Sequence, residues 1–199
     1  MRIRLAKPMD CQNILSIYSQ YIDTPITFEE KLPTFPDFFE RMAGIAQAYP
    51  YLVCEEQGAL AGYAYAYRAQ ERAAYQWNAE LSIYLDRAHT GRGYGKALYG
   101  ALLALLPLQG VRTAYGVVTI PNRVSQRLHL AMGFREFAVY HAAGYKCGAW
   151  HDVAWFEKEL LPHDTAPDPL VPFPEILEAQ ALQVAGILEA AKKPIIEPV

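Results

Sequence analysis

The stretch Glu80-Leu-Ser-Ile-Tyr-Leu-Asp-Arg-Ala-His-Thr-Gly-Arg-Gly-Tyr-Gly-Lys96 is the most informative in the chain. An apolar run enters a glycine-rich turn, and the turn opens a helical pattern. Amides at a helix start have no intrahelical acceptor and carry partial positive charge, so such a turn can hold a phosphate group. Gly91, Gly93 and Gly95 let the backbone come close to an anion. Spacing excludes two nucleotide loops. A G-x-x-x-x-G-K-[ST] loop ending at Gly95-Lys96 would need Gly in place of Thr90 and Ser or Thr in place of Ala97. A G-x-G-x-x-G fingerprint would need its third Gly at Lys96 or Leu98. A bare strand–helix turn with convenient glycines is the competing reading.

A second set follows the next strand: Pro121-Asn122-Arg-Val-Ser125-Gln-Arg-Leu128-His129-Leu-Ala-Met-Gly133-Phe134. Asn122 and His129 are two helical turns apart, so they share a side. On an alternating strand Glu80 shares a face with Ser82 and Tyr84. His141, Cys147 and His151 are loosely spaced and offer no tetrahedral set of four, so no metal is expected.

These groups must be carried by a sheet and helices. Arg2–Leu5 reads as a strand, and Asp10 as the N-cap of a helix with Ile14, Ile17, Tyr18 and Tyr21 on one face. After the loop 22–33, a helix starts beyond Thr34, with Pro36 in its first turn and Phe38, Met42 and Ile45 inward. Tyr51–Cys54 and Ala59–Arg68 read as a hairpin. Its alternation sets Tyr63, Tyr65 and Tyr67 on one face, for sheet packing or a dimer face, and alanines on the other. Strand Trp77–Leu85, helix Gly93–Leu106, strand Thr113–Ile120 and helix Asn122–Met132, closed by Gly133, come next. Strands Phe134–His141 and Val153–Leu160 complete an α+β or mixed-sheet α/β domain, with Trp77, Trp150 and Trp155 in its core. The texture changes at Pro162, and half of the 14 prolines lie in Pro162–Val199. Residues 1–161 are read as the domain. Residues 162–199 are read as an extended linker over 162–174 and a helix Glu175–Ala191, with Leu177, Ala181, Val184, Ile187 and Leu188 apolar.

The 199 residues suit one full domain, and 52% hydrophobic content excludes a disordered chain. A net charge of −3 gives no electrostatic case for a nucleic-acid partner. Three widely spaced cysteines argue against a disulfide framework and for a reducing compartment. The N-terminus lacks the apolar region of a signal peptide, and the longest apolar run, Ala101–Leu108, is interrupted by Pro107. A cytoplasmic protein with no membrane partner is expected. Tyr outnumbers Phe 14 to 8, which supplies material for a polar-lined pocket as well as a core.

Taken together, residues 90–95 and 122–134 resemble the GNAT superfamily of N-acetyltransferases, whose pattern is R/Q-x-x-G-x-G/A, then N-x-x-A/S, L-[YH] and G-F. Thr90 departs from Arg or Gln at the first place, which weakens one side-chain contact and leaves the backbone cradle. Four further stretches look like the phosphinothricin and methionine sulfoximine N-acetyltransferase group. They are Thr27-Phe28-Glu29, Arg72-x-x-Tyr75-x-Trp77-x-x-Glu80, Thr119-Ile120-Pro121-Asn122 and Gly144-Tyr145-Lys146-x-Gly148-x-Trp150-His151-Asp152-Val153. The resemblance implies a GNAT fold: a mixed, mostly antiparallel central sheet with splayed middle strands flanked by helices. It implies acetyl-CoA as cosubstrate and a small-molecule amine as acceptor; a homodimer is expected. Backbone groups of Ile83, Tyr84 and Leu85 would meet the pantetheine arm, with Asn122 and Ser125 in the same cofactor-binding set. The Gly91–Lys96 amides, Tyr94 and Gly95 among them, would hold the pyrophosphate, with Arg92 and Lys96 adding charge.

Glu80 matches the glutamate proposed as base in that group; without the resemblance it reads equally as a Glu ending an exposed strand. His129 stands where many members carry a Tyr that protonates the departing thiolate; it could do this, assist as base, or merely bridge neighbours on its helix. Arg72 would anchor the substrate carboxylate through two parallel hydrogen bonds, or be a solvated charge, while Phe28 and Tyr75 would wall the pocket. Deprotonation at pH 7 costs about 1 kcal/mol for an α-amino group and about 4–5 kcal/mol for an amine of pKa near 10.4, so a modest base suffices for an amino acid. The expected function is acetyl transfer to the amino group of a small amino acid analogue. Two other readings remain: a catalytically silent acetyl-CoA-binding or interaction protein, and an acetyltransferase of a protein N-terminus or polyamine.

Overall fold

The computed structural model describes residues 1–163 and 166–191. Seven strands form one sheet: Arg2–Leu5 (β1), Tyr51–Glu56 (β2), Ala59–Arg68 (β3), Asn78–Leu85 (β4), Thr113–Ile120 (β5), Arg135–Lys146 (β6) and Ala149–Glu159 (β7). Their order is β1-β2-β3-β4-β5-β7-β6, with β4 and β5 the one parallel pair. That pair holds only from Asn78↔Thr113 to Leu81↔Gly116. Beyond it, β4 stays paired with β3 to Leu85, and β5 with β7 to Ile120. The two strands therefore part, and the sheet forks between Leu81 and Gly116.

Side-chain alternation decides which helices cover which face. Tyr51, Val53 and Tyr63 pack beneath α1 (Cys11–Ser19) and α2 (Phe35–Ala46), with Tyr65 against them. Ala64 and Ala66, on the opposite face, join Leu98, Leu102 and Leu105 of α3 (Tyr94–Leu105). The rings of Tyr51 and Tyr65 stack at 4.8 Å. Tyr63 is 1% exposed, so this face is covered by the chain's own helices and is not a dimer face. Helix α4 (Arg123–Ala131) lies against β5 and β6. The last described elements are α5 (Phe173–Ala179), which packs on the turn Leu106–Gln109, and α6 (Ala181–Ala190), which packs on α3 and β1; together they bury Phe173, Ile176 and Val184 in the main core. Among the described residues, no helix is long and apolar enough to cross a membrane.

Several expectations need correction. Asp10 occupies the N-cap position of α1, but its carboxylate makes no cap bond. It takes both terminal nitrogens of Arg4 at 2.6 and 2.8 Å and the Lys7 amide at 2.7 Å. The strands expected to end at His141 and begin at Val153 extend into one long hairpin, turned at Cys147 and Gly148, both at positive φ. Register shifts at Glu136/Ala138 and Tyr140/Gly144 break the alternation and hide that hairpin in the sequence. Trp150 is 65% exposed rather than in the core, and Trp77 and Trp155 are half-buried. The single C-terminal helix is two, broken at Gln180. Thr34 caps α2 as expected, accepting the Asp37 amide.

Candidate active site

Beyond Leu85 the chain makes a 3₁₀ turn, Arg87–His89, and reaches Gly91 (φ 74°) and Gly93 (φ 81°). Gly93 is the N-cap of α3, a left-handed conformation that costs glycine least. No side chain caps this helix, so the amides of Tyr94, Gly95 and Lys96 have no intrahelical acceptor and face outward from its start. Gly91, Arg92 and Gly93 are exposed around them. The Tyr94 ring is buried in the core, so only its backbone belongs to this loop. Lys96 lines a crevice between α3 and α6 with Ile187 and Ala190. Arg87 takes a better place: it sits over the Tyr21 ring at 5.5 Å and lines the same cleft as Thr90.

That cleft opens where the sheet forks. One part, ≈ 320 Å³, is bounded by Ile83, Tyr84, Leu85, Thr90, Asn122, Ser125 and Leu128. A narrower part, ≈ 60 Å³, continues to Leu81, Ser82, Val117, Tyr99 and His129. Ile26, Ile83, Tyr84, Asn122 and Ser125 line both. Asn122 caps α4: its Oδ1 accepts the Ser125 amide (3.2 Å) while Gln126 accepts the Asn122 amide (3.3 Å). The Leu85 carbonyl is already taken by the Tyr21 hydroxyl at 2.5 Å. Of the expected strand contacts, Ile83 and Tyr84 thus keep more freedom than Leu85.

Glu80 stands one residue before the fork, between Tyr67 of β3 and Tyr115 of β5 in register. Tyr67 donates its hydroxyl hydrogen to Glu80 Oε1. Burial pushes the Glu80 carboxyl above the usual range, and the Tyr67 bond opposes that rise. Burial, then the neighbouring carboxylate, pushes the Tyr67 hydroxyl far up, so it stays a donor.

His129 is 2% exposed and engaged at both nitrogens. Its Nδ1 lies 2.8 Å from the Ser125 carbonyl, so that nitrogen donates, and Nε2 accepts from the Tyr99 hydroxyl at 3.1 Å. Burial holds the imidazole below its usual pKa, against the Ser125 carbonyl, so the ring is neutral at pH 7. It stacks on Phe156 and rests on Gly116, where a Cβ would fall 2.2 Å from Nε2.

The expected acceptor residues are less closely assembled. Phe28 is 41% exposed and packs on Gly144 of β6. Lys146 Nζ bonds the Thr27 and Glu29 carbonyls at 2.6 and 2.7 Å, pinning that loop. Ile26, not Phe28, reaches the cleft. Arg72 and Tyr75 lie exposed on the β3–β4 loop and line no described cavity. His141 pairs with Asp152, and His151 bonds the Lys146 carbonyl. Sequence reasoning missed Tyr67, Tyr99, Arg87 and Ile26. The alternation Tyr63-Ala-Tyr65-Ala-Tyr67 could have pointed to Tyr67, since its strand neighbours the one carrying Glu80.

A family model described as an acetyltransferase (GNAT) domain matches residues 3–155. A phosphinothricin N-acetyltransferase of Streptomyces viridochromogenes is 34% identical over 88% of this chain and 96% of its own length. An L-methionine sulfoximine/L-methionine sulfone acetyltransferase of Salmonella typhimurium is 29% identical over 84% of this chain and 99% of its own. The crystal structure of a phosphinothricin acetyltransferase from Sinorhizobium meliloti in complex with acetyl-CoA superposes with a TM-score of 0.80 at 34% identity, covering 83% of this chain and 92% of that one. Matches of this extent, over the same residues that build the fork and its cleft, place the chain in the GNAT acetyltransferase family.

Proposed function

We propose that this chain transfers the acetyl group of acetyl-CoA to the amino group of a small amino acid analogue of the phosphinothricin or methionine sulfoximine kind. One observation carries the reading: two cavities that share Ile26, Ile83, Tyr84, Asn122 and Ser125 follow the parted strands, from Thr90 beside the glycine turn to Tyr99 and to Leu81, the chain neighbour of Glu80. The cleft suits acetyl-CoA, with anion-holding amides at one end and an apolar channel along unpaired backbone behind it. Gly91–Lys96 backbone amides and Arg87 would hold its phosphates, and Ile83, Tyr84, Asn122 and Ser125 its arm.

Glu80 is the base. Its buried carboxylate takes a proton from the substrate ammonium, directly or through one water. The amine nitrogen then forms a bond to the thioester carbonyl carbon, the carbon–sulfur bond breaks with its electrons leaving on sulfur, and the second proton shed by the nitrogen ends on that thiolate, giving the amide and free CoA thiol. His129 is neutral with its Nε2 lone pair committed to Tyr99, so it acts by holding Tyr99 at the cleft rather than as a rival base. Arg72 anchors the substrate carboxylate from the β3–β4 loop, with Tyr75 and Phe28 at the rim.

Release of free thiol from acetyl-CoA, measured over a panel of amines, tests the reading. Turnover is expected with methionine sulfoximine or phosphinothricin. Tight CoA binding with no turnover on any amine would instead mark a silent binding protein, and turnover confined to polyamines or protein N-termini would move the acceptor class. We also read the protein as a cytoplasmic homodimer. Exposed Phe137 and Tyr140 lie on β6, the edge strand of the sheet, and the exposed rings of Tyr145 and Trp150 meet near the turn of the β6–β7 hairpin. Light scattering should give twice the chain mass, and Trp150→Asp should lower it.

A further inference from the structure

Residues 69–77, between β3 and β4, carry Arg72 and Tyr75 but supply little to hold themselves in place. Within the loop, the Tyr75 amide bonds the Arg72 carbonyl at 3.0 Å and the Gln76 amide the Ala73 carbonyl at 3.1 Å. Residues 70–75 are exposed, and among the described residues no side chain from Ala69 to Tyr75 has a hydrogen-bond or ion-pair partner. Side-chain anchorage comes only at the end of the loop, from the C-terminal segment. Trp77 Nε1 donates to the Asp168 carbonyl at 2.8 Å, and Gln76 Oε1 accepts the Leu170 amide at 3.2 Å.

The segment that provides these contacts is itself firmly seated. Gln109, 1% exposed, donates to the Val171 carbonyl (2.9 Å) and the Ala48 carbonyl (2.7 Å). The Val171 amide returns a bond to the Gln109 carbonyl at 3.0 Å, and the Phe173 amide bonds the Ala48 carbonyl at 3.1 Å. Phe173, 3% exposed, then enters the main core. Asp168 and Leu170 are thus the last residues of a strap locked onto the domain from Val171 onward.

We propose that Asp168–Leu170 braces the β3–β4 loop, and that Trp77 and Gln76 are positioning residues that set Arg72 for the carboxylate of the amine substrate. The inference rests on the assignment of Arg72 as that anchor. A loop without contacts of its own must be ordered when substrate binds, and bracing it beforehand removes that cost. The backbone of Trp77 is held separately: its carbonyl accepts the amides of Arg112 (2.8 Å) and Thr113 (3.3 Å). Removing the two side-chain bonds therefore loosens the loop while β4, and Glu80 on it, stays paired.

The test is steady-state kinetics of the full chain with acetyl-CoA and L-methionine sulfoximine, comparing the wild type, Trp77→Phe/Gln76→Ala, Arg72→Ala, and the three changes together. Thermal melts confirm that each variant is folded at the assay temperature. Loss of these bonds is expected to raise the amine KM by about five- to tenfold, with the acetyl-CoA KM unmoved. The same pair of changes should add little once Arg72 is Ala, because they act through it. An amine KM that rises with Arg72→Ala but not with Trp77→Phe/Gln76→Ala overturns the brace and leaves the anchor standing. An amine KM unmoved by Arg72→Ala overturns the anchor, and the brace with it.

Discussion

At the scale of single residues, the pairing of Tyr67 with Glu80 governs the pH response. Burial raises the Glu80 pKa and the Tyr67 bond pulls it back. Tyr67→Phe removes the opposing contact, so the carboxyl should ionise at higher pH. The acidic limb of kcat/KM is expected to move upward, with the high-pH plateau kept; a limb that stays in place would separate Tyr67 from the base. Stability carries the same linkage. A carboxyl whose native pKa lies above its unfolded value binds more protons when folded, so stability falls as pH rises through that window. Glu80→Gln should therefore raise Tm at pH 7, and the gain should vanish below about pH 4, where both states are protonated. Activity should be lost at neutral pH and recovered at high pH, where free amine is abundant. Of these two partners only Glu80 was legible in the sequence. The bond from Tyr67 depends on the register of β3 against β4, which spacing along one strand does not reveal.

At the scale of elements, the fork depends on what α4 presses into β5. Gly116 is the last residue of β5 paired with β4, and His129 sits directly on it. Gly116→Ala would drive a methyl group into the imidazole. The expected cost is about 1–3 kcal/mol of stability, as for other overpacked sites, together with a displaced Tyr99 hydroxyl. Urea denaturation and the KM for acetyl-CoA would report the two effects. Elements with regular periodicity were readable from sequence: β5 was placed residue for residue, and the glycine turn into α3 was clear. The β6–β7 hairpin was not, because its bulges interrupt alternation. The exposed aromatics there also resemble core residues to any reading based on composition.

At the scale of the whole molecule, the C-terminal segment is part of the core rather than an appendage. Phe173, Ile176 and Val184 are each under 5% exposed. Burying a side chain of this kind contributes about 1.5–3 kcal/mol, so the three together rival the net stability of a typical domain. A chain ending at residue 161 is expected to melt far below the full protein or to aggregate, as differential scanning calorimetry would show. The sequence marked the change of texture at Pro162 and the apolar helix face beyond it. It did not disclose the landing site, since Gln109, Ala48 and Gln76 carry no pattern that announces partners 62, 125 and 94 residues later.

The parting of β4 and β5 has a further meaning. Inside a sheet, two strands that separate leave facing rows of peptide groups with no neighbour, much as an edge strand does. An extended molecule that carries its own amides can fill such a gap as though it were a short missing strand. Solvent exchange at those amides of Ser82–Leu85 and Val117–Ile120 that face the gap should then be fast in the free protein and slow when acetyl-CoA is bound, while those paired with β3 and β7, and the amides of Asn78–Leu81, change little. Deuterium uptake would thus trace the seat of the cosubstrate peptide by peptide, with no substitution made.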